Sequence, residues 1–140
     1  MRFILGGFGQ GKLTYALEKY CAKDNESIKE NVYDENNFWD IVNVCTMCKD
    51  TIIVWNHFNL CVKKMIESGH NDEYIGEWVG KIIELPSDII IICDEIGNGI
   101  IPIDENEVRY RELTGRLGIM IAKKADSVER IICGIAQKIK

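Results

Sequence analysis

Apolar residues along this chain fall into two kinds of cluster. Short runs rich in β-branched residues have the length and composition of buried strands: Arg2–Leu5, "TIIVW" at Thr51–Trp55, "DIIIIC" at Asp88–Cys93 and "VERIICG" at Val128–Gly134. Between them, apolar positions recur at helical spacing. Lys12 to Lys23 carries Leu13, Ala16, Leu17 and Tyr20 on one side. Phe38–Cys48 predicts a short helix, and Asn56–Glu67 another that stops near Gly69. Asp72–Leu85 gathers Ile75, Trp78, Val79, Ile82 and Ile83 on one face and meets Pro86 at its end. A capping-box pattern, Asp104-x-x-Glu107, opens a helix to about Ala125, with Leu113, Leu117, Met120 and Ile121 at i, i+4, i+7 and i+8. "IAQKIK" predicts a last edge strand, and the polar stretch Ala22–Asn37 reads as a surface connection with room for one short element.

Alternating strands and helices predict an α/β three-layer sandwich built on a mainly parallel sheet. At 140 residues the chain has the length of one domain, 1–140, and 46% hydrophobic residues suffice for a core. The net charge of −5 supplies no general attraction to nucleic acid or to an anionic membrane, so a bound anion needs a local site. The first apolar run stops at the glycines after Leu5, and Ile89–Cys93 is too short to cross a bilayer. The expectation is a cytoplasmic protein without nucleic-acid or membrane partners. The six cysteines are then reduced and pack as small hydrophobes. Cys45-x-x-Cys48 lacks the second ligand pair of a zinc site. His57 is expected to pack or cap rather than act as a nucleophile, and His70 to sit in a turn.

Two motifs carry chemistry. In "ILGGFGQGKLTYAL", a glycine-rich turn follows a strand and opens a helix. Backbone N–H groups of Gly6, Gly7, Phe8, Gly9, Gln10, Gly11, Lys12, Leu13 and Thr14 are the candidate phosphate cradle, reinforced by the helix N-terminus. Lys12 is the candidate catalytic cation that reaches the outer phosphates. Leu13 stands where this pattern normally supplies a magnesium-binding hydroxyl, and Thr14 carries a hydroxyl one residue late, about 100° further round the helix. In "IIIICDEIGNG" a buried strand delivers two carboxylates at its C-terminal end, a Walker B pattern. Asp94 is the candidate Mg2+ ligand, with Thr14, and Glu95 the candidate group that positions or deprotonates an acceptor hydroxyl. Arg109, Arg111 and Arg116 read as substrate or interface residues, or as a solvated helical face paired with Glu107 and Glu112.

With these motifs in view, "ILGGFGQGK", "DEIGNGIIP", "RYRELTGRL" and "AKKADSVERIICGIAQKIK" together resemble the bifunctional adenosylcobinamide kinase / adenosylcobinamide-phosphate guanylyltransferase family, which acts in cobalamin assembly. The resemblance covers residues 1–21 and about 88–140 strongly and 51–87 weakly. It implies a RecA-like P-loop NTPase fold, GTP or ATP as substrate, and a homo-oligomer, in this family a trimer. It also implies phosphorylation of a cobinamide hydroxyl, followed by guanylyl transfer through a histidine. The chain departs from the family pattern at Leu13, which replaces a hydroxyl residue, and at Trp55, which replaces an acidic one. Ala22–Asn37, where the family has a second strand and then the arm with the guanylylated histidine, is short and contains no histidine. The expectation is a nucleotide-binding kinase without the guanylyltransferase half, acting on cobinamide or a related small molecule. The rival expectation is a catalytically inactive nucleotide-binding protein with a degenerate phosphate loop.

Overall fold

The structure is a computed structural model and describes residues 1–21, 31–47, 51–97, 99 and 104–140. The elements follow the predicted alternation: β1 (Arg2–Gly6), α1 (Lys12–Tyr20), β2 (Val32–Tyr33), a 3-10 turn (Phe38–Asp40), α2 (Ile41–Met47), β3 (Ile52–Trp55), α3 (Phe58–Glu67), α4 (Asp72–Ile83), β4 (Asp88–Asp94), α5 (Glu105–Lys124), β5 (Ser127–Ile132) and β6 (Ile135–Lys138). They form an α/β sandwich around one sheet of order β2-β3-β4-β1-β5-β6, parallel except for β6.

Side-chain alternation along the strands sorts the core into two layers. Ile4, Ile90, Ile92, Val54 and Ile131 pack with Ala16 and Cys21 under α1. Phe3, Ile53, Trp55, Ile89, Ile91 and Cys93 meet the apolar faces of α2 to α5 on the other side. The central strands are covered on both faces, which is why their sequence is a continuous apolar run.

Local signals set the helix starts. The Asn71 side chain accepts the Tyr74 N–H at the start of α4, and Asp104 accepts the Glu107 N–H at the start of α5. Glu107 turns its carboxylate to Lys63 and Arg111. Gly6 ends β1 where no side chain fits, because a Cβ there would lie 2.5 Å from the carbonyl oxygen of Ile131.

Several boundaries differ from the sequence reading. The connection before Phe38 contains a short strand, β2, which adds to the sheet edge parallel to β3. Two residues carry too little pattern to announce a strand. α1 ends at Tyr20, and Ala22–Glu30 lie outside the described residues. The run Val128–Gly134 is not one strand: Cys133 and Gly134 both have positive φ, 49° and 77°, and form the tight turn between β5 and β6. Cys45 is buried, while Cys48 of the C-x-x-C pair lies outside the described residues. Among the described residues no cluster of three or more His, Cys, Asp or Glu is arranged to hold a metal, and no helix is long and apolar enough to cross a membrane.

Candidate functional site

The strand order marks a candidate ligand site. β1 sits between β4 and β5, so the chain leaves β1 in one direction and returns on its other side later. Crevices at such points, beyond the carboxyl ends of the strands, are the ligand sites of open α/β sheets. Here that place is a cleft of about 260 Å3 lined by Phe8, Gly9, Gln10, Gly11, Lys12, Leu13, Thr14, Asn56, His57 and Asp94.

The loop between β1 and α1 takes its shape from glycine. Gly9 and Gly11 have φ of 71° and 80°, the left-handed region that other residues enter at a cost. Gly11 is the residue from which α1 starts, and the helix N-terminus therefore opens at the cleft. Lys12 is buried at 6% exposure, and its ammonium group is met by two oxygen atoms. Its Nζ donates to the Gly7 carbonyl at 2.7 Å and lies 2.6 Å from Asp94 Oδ1. Asp94 in turn is held by Asn59, which accepts the Asp94 N–H at 3.1 Å and reaches Asp94 Oδ2 from its amide at 3.5 Å. Asn59 is itself buried and donates to Tyr110. Thr14 is exposed at the rim, and Leu13 is half-buried with its side chain against the α1 layer of the core.

Glu95 occupies a different place. Its backbone N–H donates to Gly6 at 3.0 Å, but its carboxylate is engaged by Arg130 on β5. One guanidinium nitrogen donates to Oε2 at 2.8 Å, and Nε lies 2.6 Å from Oε1, off the hydrogen-bond axis. Glu95 lines a second, mostly apolar cleft of about 300 Å3 between the sheet and α5, with Leu5, Ile96, Thr114 and Ile119 among its walls. Asp94 borders both clefts. The Thr114 hydroxyl is buried there without a hydrogen-bond partner.

The arginines of α5 are elsewhere. Arg109 donates to Asp72 at 2.7 Å and to the His70 carbonyl at 2.7 Å, and Arg116 also reaches Asp72. Together they clamp α5 to the first turn of α4 and hold the Asp72 carboxyl below its usual range, chiefly through the Arg109 hydrogen bond. Arg111 pairs with Glu107 at 3.7 Å. None of the three is among the residues lining the phosphate-loop cleft.

Two residues at this cleft were not read as site residues from the sequence. Asn56 and His57 fall before α3 begins, so they are loop residues at the carboxyl end of β3. His57 holds the N-cap position just before α3 with φ 49°, and its side chain makes no capping bond. Its Nδ1 is instead 3.2 Å from Glu35 Oε2. The usable signal was position: both follow a buried strand, where sites in this architecture form.

Comparison with known proteins bears on the family and the fold. The family model described as cobinamide kinase / cobinamide phosphate guanyltransferase matches residues 31–139. The chain belongs to this family. The fold is accordingly that of P-loop NTPases. The match begins beyond the phosphate loop, so the loop's assignment rests on its sequence and geometry, whereas the middle of the chain, 51–87, falls within the match. Two relatives are each described as a bifunctional adenosylcobalamin biosynthesis protein. The one from Salmonella typhimurium is 33% identical and the one from Escherichia coli 31% identical, each over 55 residues. The aligned part spans 39% of this chain and 30% of each relative's length.

Proposed function

We propose that this chain is a nucleotide-binding phosphotransferase of the cobinamide kinase type, serving cobalamin biosynthesis. It transfers a phosphoryl group from GTP or ATP to a hydroxyl of cobinamide or a related small molecule. The observation that carries this reading is the meeting of the phosphate loop, Lys12 and Asp94 in one cleft at the carboxyl ends of β1 and β4.

In this reading the loop amides from Gly6 to Thr14 and the N-terminus of α1 hold the phosphates. Lys12 leaves its contacts with Gly7 and Asp94 to meet the outer phosphates. Transfer of a phosphoryl group is stabilised by position and by fixed charge, so a pre-aimed lysine and a ring of N–H groups supply most of what is needed. Mg2+ takes most of its ligands from water and phosphate and needs only one or two carboxylates, which Asp94 satisfies, with Thr14 the nearest hydroxyl in sequence. The metal would neutralise charge on the phosphates. The acceptor enters the neighbouring apolar cleft, which meets the phosphate cleft at Asp94, and Glu95 positions its hydroxyl. While Arg130 holds Glu95, both carboxylate oxygens are occupied, so its use as a base requires that pair to open. Guanylyl transfer is left out of the proposal, because the sequence between α1 and the 3-10 turn contains no histidine.

A second reading, an inactive nucleotide-binding protein, is favoured by Leu13, together with Trp55 and the histidine-free segment before Phe38. A calorimetric titration with non-hydrolysable GTP and ATP analogues, with and without magnesium, followed by turnover with cobinamide, separates the two. Binding that strengthens with magnesium, and then phosphate transfer to cobinamide, supports the kinase. Binding indifferent to magnesium with no transfer supports the inactive protein.

A further inference from the structure

The phosphate cleft is poor in cations. Among the ten described residues that line it, Lys12 and His57 are the ones able to carry positive charge, and Lys12 already faces the carboxylate of Asp94. A bound polyphosphate brings several negative charges into this space. His57 is placed to answer them. It sits at the mouth of β3 with its backbone in the left-handed region, which only a minority of non-glycine residues adopt and which clusters at functional sites. Its ring is braced from behind by Glu35 at 3.2 Å. With Nδ1 donating to that carboxylate, Nε2 is the nitrogen left for a ligand.

We propose that His57, held by Glu35, is a second phosphate-binding cation of this cleft, and that it takes up a proton when nucleotide binds. The inference rests on reading the cleft as a nucleotide site. An imidazolium between Glu35 and a phosphate has an anion on each side, so ligand binding favours its charged form. Histidine is the side chain whose ordinary range puts this change between pH 5 and 8. Among the described residues the charged groups facing it are Glu35 from the turn after β2, with Lys12 and Asp94 lining the same cleft. On its own helix the lysines, Lys63 and Lys64, lie beyond the first turn, and Lys63 is paired with Glu107.

The test uses the intact chain and non-hydrolysable GTP and ATP analogues. The chain has only two histidines, so His57 and His70 can be followed separately by NMR as pH is varied. His70, stacked on Tyr74, serves as the internal control. Nucleotide is expected to move the His57 titration midpoint upward and leave that of His70 in place. His57→Gln is expected to bind about tenfold more weakly at pH 6, with the difference from wild type shrinking toward pH 8. Titration of the nucleotide's own phosphate is common to both proteins and cancels in that difference. A His57 midpoint unmoved by nucleotide, or a His57→Gln profile equal to wild type, overturns the inference. It does so alone if Lys12→Ala still abolishes binding. Absence of nucleotide binding by wild type overturns the nucleotide site and this inference together.

Discussion

Lys12 Nζ and Asp94 Oδ1 lie 2.6 Å apart, and the two side chains are only 6% and 11% exposed. The pair joins the start of α1 to the end of β4, so the two motifs of the site are one electrostatic unit. Removing one partner leaves a buried charge unanswered, which typically costs about 3–5 kcal/mol. Lys12→Met should therefore lower stability by about 3 kcal/mol. The double variant Lys12→Met/Asp94→Asn should recover at least about 1 kcal/mol of that loss, because the orphaned charge is gone. Denaturant unfolding of the two singles and the double measures this. Additive losses would show that the pair is not coupled in solution.

Leu13 is the next test of the site. Its side chain packs on the α1 layer rather than serving the cleft with oxygen. Leu13→Ser is expected to cost about 1 kcal/mol of stability from lost burial. In return, the gain in nucleotide affinity on adding magnesium should grow by about tenfold, or about 1.4 kcal/mol. Calorimetry with and without magnesium reads it, and an unchanged magnesium effect would mean the hydroxyl at this position is not what limits the metal.

Glu129 on β5 gives the fold a pH dependence that is independent of the site. It is buried, and its carboxylate accepts hydrogen bonds from Lys19 at 2.6 Å, Tyr20 at 2.7 Å and Tyr15 at 3.1 Å. Burial pushes the carboxyl up, but these three bonds outweigh it and leave it below the ordinary 4.5. A lowered folded-state value means that stability is present in full above about pH 4.5 and is lost as pH falls through the lowered value. Glu129→Gln should cost about 2 kcal/mol at pH 7 and flatten the acid limb of the stability profile. Thermal melts from pH 7 to pH 3 would contradict this if the variant lost stability as steeply as wild type.

Gly6→Ala probes the close approach that ends β1. The added methyl would meet the Ile131 carbonyl oxygen at 2.5 Å, and backbone is not free to yield. A loss of roughly 2–3 kcal/mol is expected, with weaker pairing of β1 to β5. A melting temperature within a degree of wild type would refute the contact.

Most of this architecture was legible because the central strands are apolar on both faces and the helices keep a clean stripe. Ile89–Cys93 and Ile75–Ile83 needed no tertiary information. The tight turn between β1 and α1 was legible from its glycines. What sequence could not convey was direction and partnership. Nothing in "CDEIG" tells Asp94 to face Lys12 while Glu95 turns to Arg130, because that depends on the register of β4 with β1 and of β1 with β5. His57 looked like a helix residue because its neighbours follow helical spacing, and only the true start of α3 at Phe58 releases it to the cleft. Trp55, read as a departure at the strand end, is fully buried and packs on Phe58 and Trp78, so its role is packing. Restoring a carboxylate there by Trp55→Glu would place a charge among aromatic rings.

Gln10 joins the two ends of the chain. Its side-chain oxygen accepts the Cys133 N–H and its backbone carbonyl accepts the Gly134 N–H, so the tip of the β5–β6 turn hangs from the middle of the phosphate loop. Whatever reshapes the loop must therefore pull on the last two strands. The far end of the chain becomes a gauge of what its beginning holds, readable as amide exchange at Cys133 and Gly134 without any probe inside the cleft.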